Sequence, residues 1–203
     1  MKYFIPNLII ILIIGLGIPS GCYRTNYTAP QKETFEFTAS MLKEKTDLLY
    51  DRSEKRGFLE NISGPLLIDT SKTISLDDFI DKITVVNFWG QWCEPCRSEI
   101  FEMENIYNKT KLKKVAFLGV NVRDSNRNSV LNLITNYGIT FPSIYDPAMR
   151  TVISLKGRYP ITSVPSTLIL DSKHLVAAVF LREVVAEDIE LTISKINFEL
   201  LRS

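Results

Sequence analysis

The stretch that most constrains this chain runs from Ile83 to Cys96, ITVVNFWGQWCEPC. Its first part, Ile83–Trp89, is β-branched and apolar on both faces, as a strand in the middle of a sheet must be. Pro95 then suits the first turn of a helix, because the N–H it lacks would have no partner there. The helix is expected to run from about Pro95 to Asn108, with Ile100, Met103, Ile106 and Tyr107 on one face. A second buried strand, KVAFLGVNV, follows at Lys114–Val122. The result is a strand–helix–strand unit with Cys93 and Cys96 at the strand-to-helix turn.

That placement has chemical consequences. A thiolate attacks and a thiol does not. At the first turn of a helix, unpaired N–H groups and the helix dipole favour a negative sulfur. Two intervening residues bring both sulfurs onto one turn, where they can close a disulfide. Cys93 is expected to be the exposed attacking sulfur. Cys96, one turn inward, is expected to resolve the mixed disulfide.

The start of the chain reads as a processing segment. Lys2 precedes the apolar run LIIILIIGLGI at Leu8–Ile18, and the small residues Ser20 and Gly21 lead into Cys22. This is the layout of an export signal, and the run is short for a permanent membrane helix. The cysteine placement resembles the bacterial lipoprotein signal, which implies cleavage before Cys22 and lipid on its sulfur. Pro19 stands where that signal usually has an aliphatic residue. One acyl chain anchors weakly, so stable attachment needs two or more. A lipidated Cys22 leaves one pair among the three cysteines, Cys93 and Cys96. Residues 1–21 are therefore assigned to a lipoprotein-type signal peptide, 22–56 to a tether and 57–203 to a folded domain. The tether is polar and weakly patterned, though SMLKEKTDLLY within it has helical spacing. As a coil it would span about 30 Å.

Net charge is +1. A nucleic-acid partner needs a concentrated basic surface, which such a balance does not provide. The densest basic stretch, KTKLKK at Lys109–Lys114, reads as the solvated end of a helix.

Downstream of Gly57, GPLLIDT and KTISL read as short strands divided at Ser71, and Ser75 as a helix cap. Ser125–Gly138 is an amphipathic helix closed by its glycine. PSIYD forms a short strand and AMRTVISLKG a short helix. Val164–Asp171 and Leu175–Phe180 pair antiparallel around a turn at SKH. Val185, Ile189, Ile193, Ile196 and Leu200 mark one stripe of a final helix. The fold class is α/β, a central mixed sheet with helices on both faces.

With these residues assembled, VVNFWGQWCEPCRSE resembles the active-site segment of the TlpA/ResA/DsbE-like family of membrane-anchored extracytoplasmic thioredoxins. The resemblance spans roughly Gly57–Ser203 and includes YPITSVPSTLILD and SIYDP. It implies a thioredoxin-like fold with an inserted strand–helix element, and thiol–disulfide exchange without a cofactor or metal. It further implies reduction of protein disulfides outside the cytoplasm, often in cytochrome c maturation with apocytochrome c as the substrate. The electrons would come from a membrane thiol transporter of the CcdA or DsbD type. Val164–Pro165 matches the family's cis-proline pair, where a substrate peptide can pair with the Val164 backbone as an added strand.

Two further assignments, Asn87 and Glu99, follow from the resemblance. Asn87 stands where cytoplasmic thioredoxins have a buried Asp, and an amide cannot take a proton there. Glu99 matches the family's glutamate after the second cysteine. On a helix it is an i,i+3 neighbour of Cys96, able to shuttle that thiol's proton. Trp92, with Trp89, is expected to frame the site. Arg97 either favours the thiolate or is simply solvated. His174 is expected at the surface of its turn.

Other readings remain open at this level. A structural zinc wants four ligands, and no second C-x-x-C accompanies this one. A lipid-anchored interaction or chaperone domain with an incidental dithiol is a second alternative. Peroxidatic cysteines are not usual in a W-C-x-x-C setting. Within exchange chemistry, the runner-up is an oxidant of the actinobacterial DsbE-like kind. Glu94 beside the thiolate disfavours it and so points toward a reductant.

Overall fold

The computed structural model describes residues 56–110, 113–155, 161 and 163–202, and the backbone of 47–49. Eight strands form one sheet: β1 Asp47–Leu49, β2 Ser63–Leu66, β3 Asp69–Ser75, β4 Ile83–Trp89, β5 Val115–Val122, β6 Ser143–Asp146, β7 Ser166–Leu170 and β8 Val176–Phe180. Four α-helices accompany them: α1 Glu94–Thr110, α2 Arg127–Tyr137, α3 Arg150–Ser154 and α4 Ala186–Leu200. The strand order is β1-β8-β7-β4-β5-β6-β2-β3. β4, β5 and β6 run parallel, while the other pairs are antiparallel.

β4 is buried along its whole length. Its side chains alternate between faces. Ile83, Val85 and Trp89 join a core with Ile100, Met103 and Ile106 of α1, Val130 and Ile134 of α2, and Ile193 and Ile196 of α4. Val86 and Phe88 enter a second core with Leu59, Leu76 and Val152 on the opposite face. Asn87 shares the register of Val85 and Trp89, so its side chain emerges beneath α1.

The parallel connection from β5 through α2 to β6 is the inserted strand–helix element, and it lies between β5 and the short helix α3. Gly138 ends α2 in the left-handed conformation (φ 65°), which favours glycine. The buried Glu104 carboxylate fixes the far end of the element to α1. It accepts from the Thr140 hydroxyl and N–H and from the Phe141 N–H.

Several expectations are corrected. His174 occupies the β7–β8 turn but is only 1 % exposed. The reason is the segment before Leu59, which lies across this hairpin. Phe58 bridges to Leu175, Leu59 N–H donates to the His174 carbonyl, and Val176 N–H donates to the Gly57 carbonyl. The first hairpin turns at Leu67 and Ile68 rather than Ser71, because Leu67 is drawn into the core with its N–H on the Ser143 carbonyl. Ser75 caps a single 3₁₀ turn, Leu76–Phe79, and not a longer helix. The stripe of α4 is shorter than expected, since Val185 and Leu200 at its ends are exposed.

Two features lie in the segment read as a tether. Asp47–Leu49 pairs antiparallel with β8 instead of adding to a helix. Arg56 is buried, with an ion pair to Asp171 at 3.2 Å and another to Glu199 at 2.6 Å. The signal, Cys22 and most of the tether lie outside the described residues.

Candidate active site

β4 ends at Trp89, and a four-residue loop, Gly90–Cys93, leads directly into α1. Three hydrogen bonds fix this loop. Gln91 N–H donates to Asp124 Oδ2 at 2.8 Å, Trp92 Nε1 donates to the Val122 carbonyl at 3.2 Å, and Cys93 N–H donates to the Gly90 carbonyl at 3.1 Å. Gly90 is required by the folded-back indole, since a Cβ there would lie 2.4 Å from Trp92 Nε1. Trp92 is 49 % exposed beside Cys93, whereas Trp89 is in the core. Of the two tryptophans expected to frame the site, only Trp92 reaches its surface.

Cys93 and Cys96 are joined by a disulfide. Cys96 is wholly buried, and Cys93, expected to be exposed, is only 5 % so, because its sulfur is closed against Cys96 and the Val164 carbonyl. The Cys96 N–H donates to Cys93 Sγ at 3.3 Å, the amide contact expected of a helix start. Cys93 Sγ also lies 3.7 Å from the Val164 carbonyl oxygen, and the Val164–Pro165 peptide is cis. Residues 71 positions apart in the chain thus meet at one sulfur.

Glu99 is 1 % exposed, on the face of α1 that also buries Cys96 and Ile100. An exposed first-turn acid serving only the helix dipole is thereby excluded. Its Oε2 accepts from Asn87 Nδ2 at 2.8 Å and its Oε1 accepts from Val184 N–H at 2.9 Å. Asn87 Nδ2 also donates to Thr167 Oγ1 at 3.0 Å. Burial pushes the Glu99 carboxyl up to about 7 despite the two donors, with Glu183 raising it further and Arg182 lowering it. A carboxyl that can take or give a proton near neutrality therefore sits one helical turn from the inner cysteine.

Glu94 and Arg97 pair with one another on the exposed side of α1. Arg97 also donates to the Gln91 carbonyl at 3.4 Å. Glu94, expected to disfavour the thiolate, shares its charge with Arg97, and both are open to solvent screening.

Asp124 was not singled out from the sequence. It is buried, and its Oδ2 accepts from Asn121 Nδ2 at 2.7 Å as well as from Gln91. Its carbonyl accepts from the Tyr145 hydroxyl at 2.8 Å. The available signal was an acid just beyond the end of β5, on the sheet edge that carries the cysteines. Among the described residues no group of three or more His, Cys, Asp or Glu is placed to hold a metal.

A disulfide closed across the first turn of a helix, a carbonyl against its outer sulfur and a titratable carboxyl behind its inner one define a thiol–disulfide oxidoreductase on a thioredoxin-like fold. The chain belongs to the AhpC/TSA family, which it matches over residues 61–179. Among curated relatives, it is 34% identical over 115 residues to the thiol-disulfide oxidoreductase ResA of Bacillus subtilis, a match covering 56% of this chain and 62% of that protein. It is 30% identical over 126 residues to ResA of Bacillus anthracis, covering 62% and 70%. Among solved structures, a DsbF homologue from Corynebacterium diphtheriae is 41% identical, with a TM-score of 0.68, covering 75% of this chain and 94% of that one. A secreted thiol-disulfide isomerase from Corynebacterium glutamicum is 36% identical, with a TM-score of 0.71, covering 76% and 94%.

Proposed function

We propose that this oxidoreductase works outside the cytoplasm as a reductant of protein disulfides, with Cys93 attacking and Cys96 resolving. The Cys93 thiolate attacks one sulfur of a substrate disulfide. A Cys93–substrate bond forms, the substrate S–S bond breaks, and the leaving thiolate takes up a proton. Cys96 then passes its proton to Glu99 and attacks Cys93 Sγ. This closes the Cys93–Cys96 bond and releases the second substrate sulfur as a thiolate, which takes the proton held by Glu99. Two electrons and two protons have passed from the enzyme dithiol to the substrate. A membrane thiol transporter of the CcdA or DsbD type returns them, and apocytochrome c is the substrate the first resemblance suggests.

The observation that carries this direction is the burial of Glu99. An ionised carboxylate in a dry site one turn from Cys96 opposes a second negative charge on either sulfur. Destabilising the thiolates favours the closed disulfide, which makes the dithiol a donor of electrons. Val164, with its carbonyl against Cys93 Sγ, supplies a backbone edge for the substrate peptide. Trp92 gives that peptide an aromatic surface. Lipid on Cys22 would hold the enzyme on the outer face of the cell membrane.

The test is the reduction potential of the Cys93–Cys96 couple against glutathione. A value of about −250 mV or lower supports the reductant, and one near about −120 mV overturns it. The second outcome favours disulfide formation in exported proteins. Exchange activity that survives replacement of both cysteines would instead favour an interaction or chaperone domain.

A further inference from the structure

α1 and α2 lie side by side on one face of the sheet, and both run back from the strand ends nearest the cysteines. Their outward faces do not close against each other. Between them is a groove of about 690 Å³. α1 lines it at positions 94, 97, 98, 101 and 102, and α2 at 129, 132, 133, 136 and 137. Both sets follow the i, i+3, i+4, i+7, i+8 spacing of a single helix face. The groove's mouth is formed by Gln91 and Glu94, which flank Trp92 and Cys93 in the chain.

We propose that this groove binds an extended segment of the disulfide-bearing polypeptide, a few residues away from the cysteine that Cys93 attacks. The proposal rests on the exchange activity described above and assigns that activity a polypeptide-binding subsite.

Four observations favour this occupant. First, the groove starts at Gln91 and Glu94, which lie two residues and one residue from Cys93 in the chain, so a polypeptide whose cysteine reaches Cys93 has the start of the groove beside it. Second, its length suits a peptide. Eight helical residues span about 12 Å, and an extended chain covers that in about four residues. A small disulfide would fill only the mouth. Third, the lining offers main-chain partners. Asn132 and Asn136 are exposed, one turn apart on α2, and among the described residues their side-chain amides and that of Gln91 make no hydrogen bond. A side-chain amide both donates and accepts, as an extended backbone requires. Fourth, Phe101 of α1 and Tyr137 of α2 both line the groove with large exposed rings, and Leu133 lines it as well. Aromatic rings presented in this way are typical of protein contact surfaces.

Charge argues against a strongly ionic ligand. The two charges at the mouth, Glu94 and Arg97, are already paired, leaving Glu102 at the groove wall. Recognition must then come from backbone hydrogen bonds and apolar side chains, which adapt to many sequences.

The experiment uses the reduced full-length protein and two synthetic disulfide probes. One is a cysteine pair with capped ends; the other carries four additional residues, including one leucine, on each side of one cysteine. For the wild type, the longer probe is expected to react about tenfold faster (kcat/KM). The Phe101→Ala/Asn132→Ala/Tyr137→Ala variant, altered only at exposed positions, is expected to lose that length dependence. A wild type that treats both probes alike overturns the subsite. So does a variant that keeps the full gain. Loss of the gain because wild-type copies associate through this face, read by sedimentation at the assay concentration, also overturns it. A wild type that fails to reduce even the short probe overturns the exchange activity itself and the subsite with it, so the two failures are distinguishable.

Discussion

Asn87 donates its side-chain amide to the Glu99 carboxylate at 2.8 Å, joining the central strand to the first helix behind the cysteines. The pair sets a carboxyl of raised pKa on the same helix as Cys96, one turn beyond it.

Glu99→Gln is expected to remove a component of the pH dependence of stability. In the folded protein Glu99 keeps its proton up to about pH 7, against 4.5 ordinarily. Between those values the folded state binds more protons than the unfolded, so stability falls as pH rises. The contribution is fully present below pH 4.5 and is lost through pH 7. For a shift of this size it is on the order of 3 kcal/mol. Urea denaturation of the oxidised protein at pH 5 and pH 8 measures it. The variant is expected to lose less stability than the wild type over that interval, and parallel profiles would refute the assignment.

Cys96→Ser is expected to accumulate mixed disulfides with substrate, and Cys93→Ser is not. Cys93 Sγ accepts the Cys96 N–H at 3.3 Å, while Cys96 is shut within the core. Non-reducing electrophoresis after mixing with a disulfide-bearing protein reads the outcome. The reverse pattern would exchange the two roles.

Asp124→Ala is expected to loosen the active-site loop without touching either sulfur. Two donors, Gln91 N–H and Asn121 Nδ2, lose their acceptor together. Leaving buried donors unsatisfied costs about 1–3 kcal/mol each. Denaturant midpoints give the loss, and exchange rates are expected to fall in step. A fully stable variant with normal rates would show that the loop is held by Trp92 and Cys93 alone.

Arg56→Ala is expected to destabilise the protein by about 3–5 kcal/mol, because it leaves Asp171 with an unpaired buried charge. Adding Asp171→Asn is expected to restore part of this. Additive losses in a double-mutant cycle would show that the pair is not coupled.

What was legible in the sequence was local. Ile83–Trp89 declares a buried strand because no solvent-facing pattern interrupts it, and Cys-Glu-Pro-Cys declares a helix start because proline belongs there. Glu99 was visible only through its spacing from Cys96 and the family resemblance; its burial depends on Val184, which is 85 positions away. Contacts made at long range left no such mark. Asp124 reads as any acid after a strand until Gln91 is laid against it. His174 has a turn residue's backbone, φ 58°, and its burial comes from residues 57–59 crossing the hairpin. Asp47–Leu49 is too short to announce a strand, and it becomes one only because β8 offers an unpaired edge.

The pairing of the first strand with the last one in the chain has a kinetic consequence. A polypeptide delivered N-terminus first must wait until Val176–Phe180 has emerged before Asp47–Leu49 finds its place. The sheet therefore cannot be completed in the order of synthesis, and contacts of such high sequence separation slow folding. Until the final hairpin arrives, the early strands remain an unfinished assembly, and its last seam is sewn from the chain's two opposite regions.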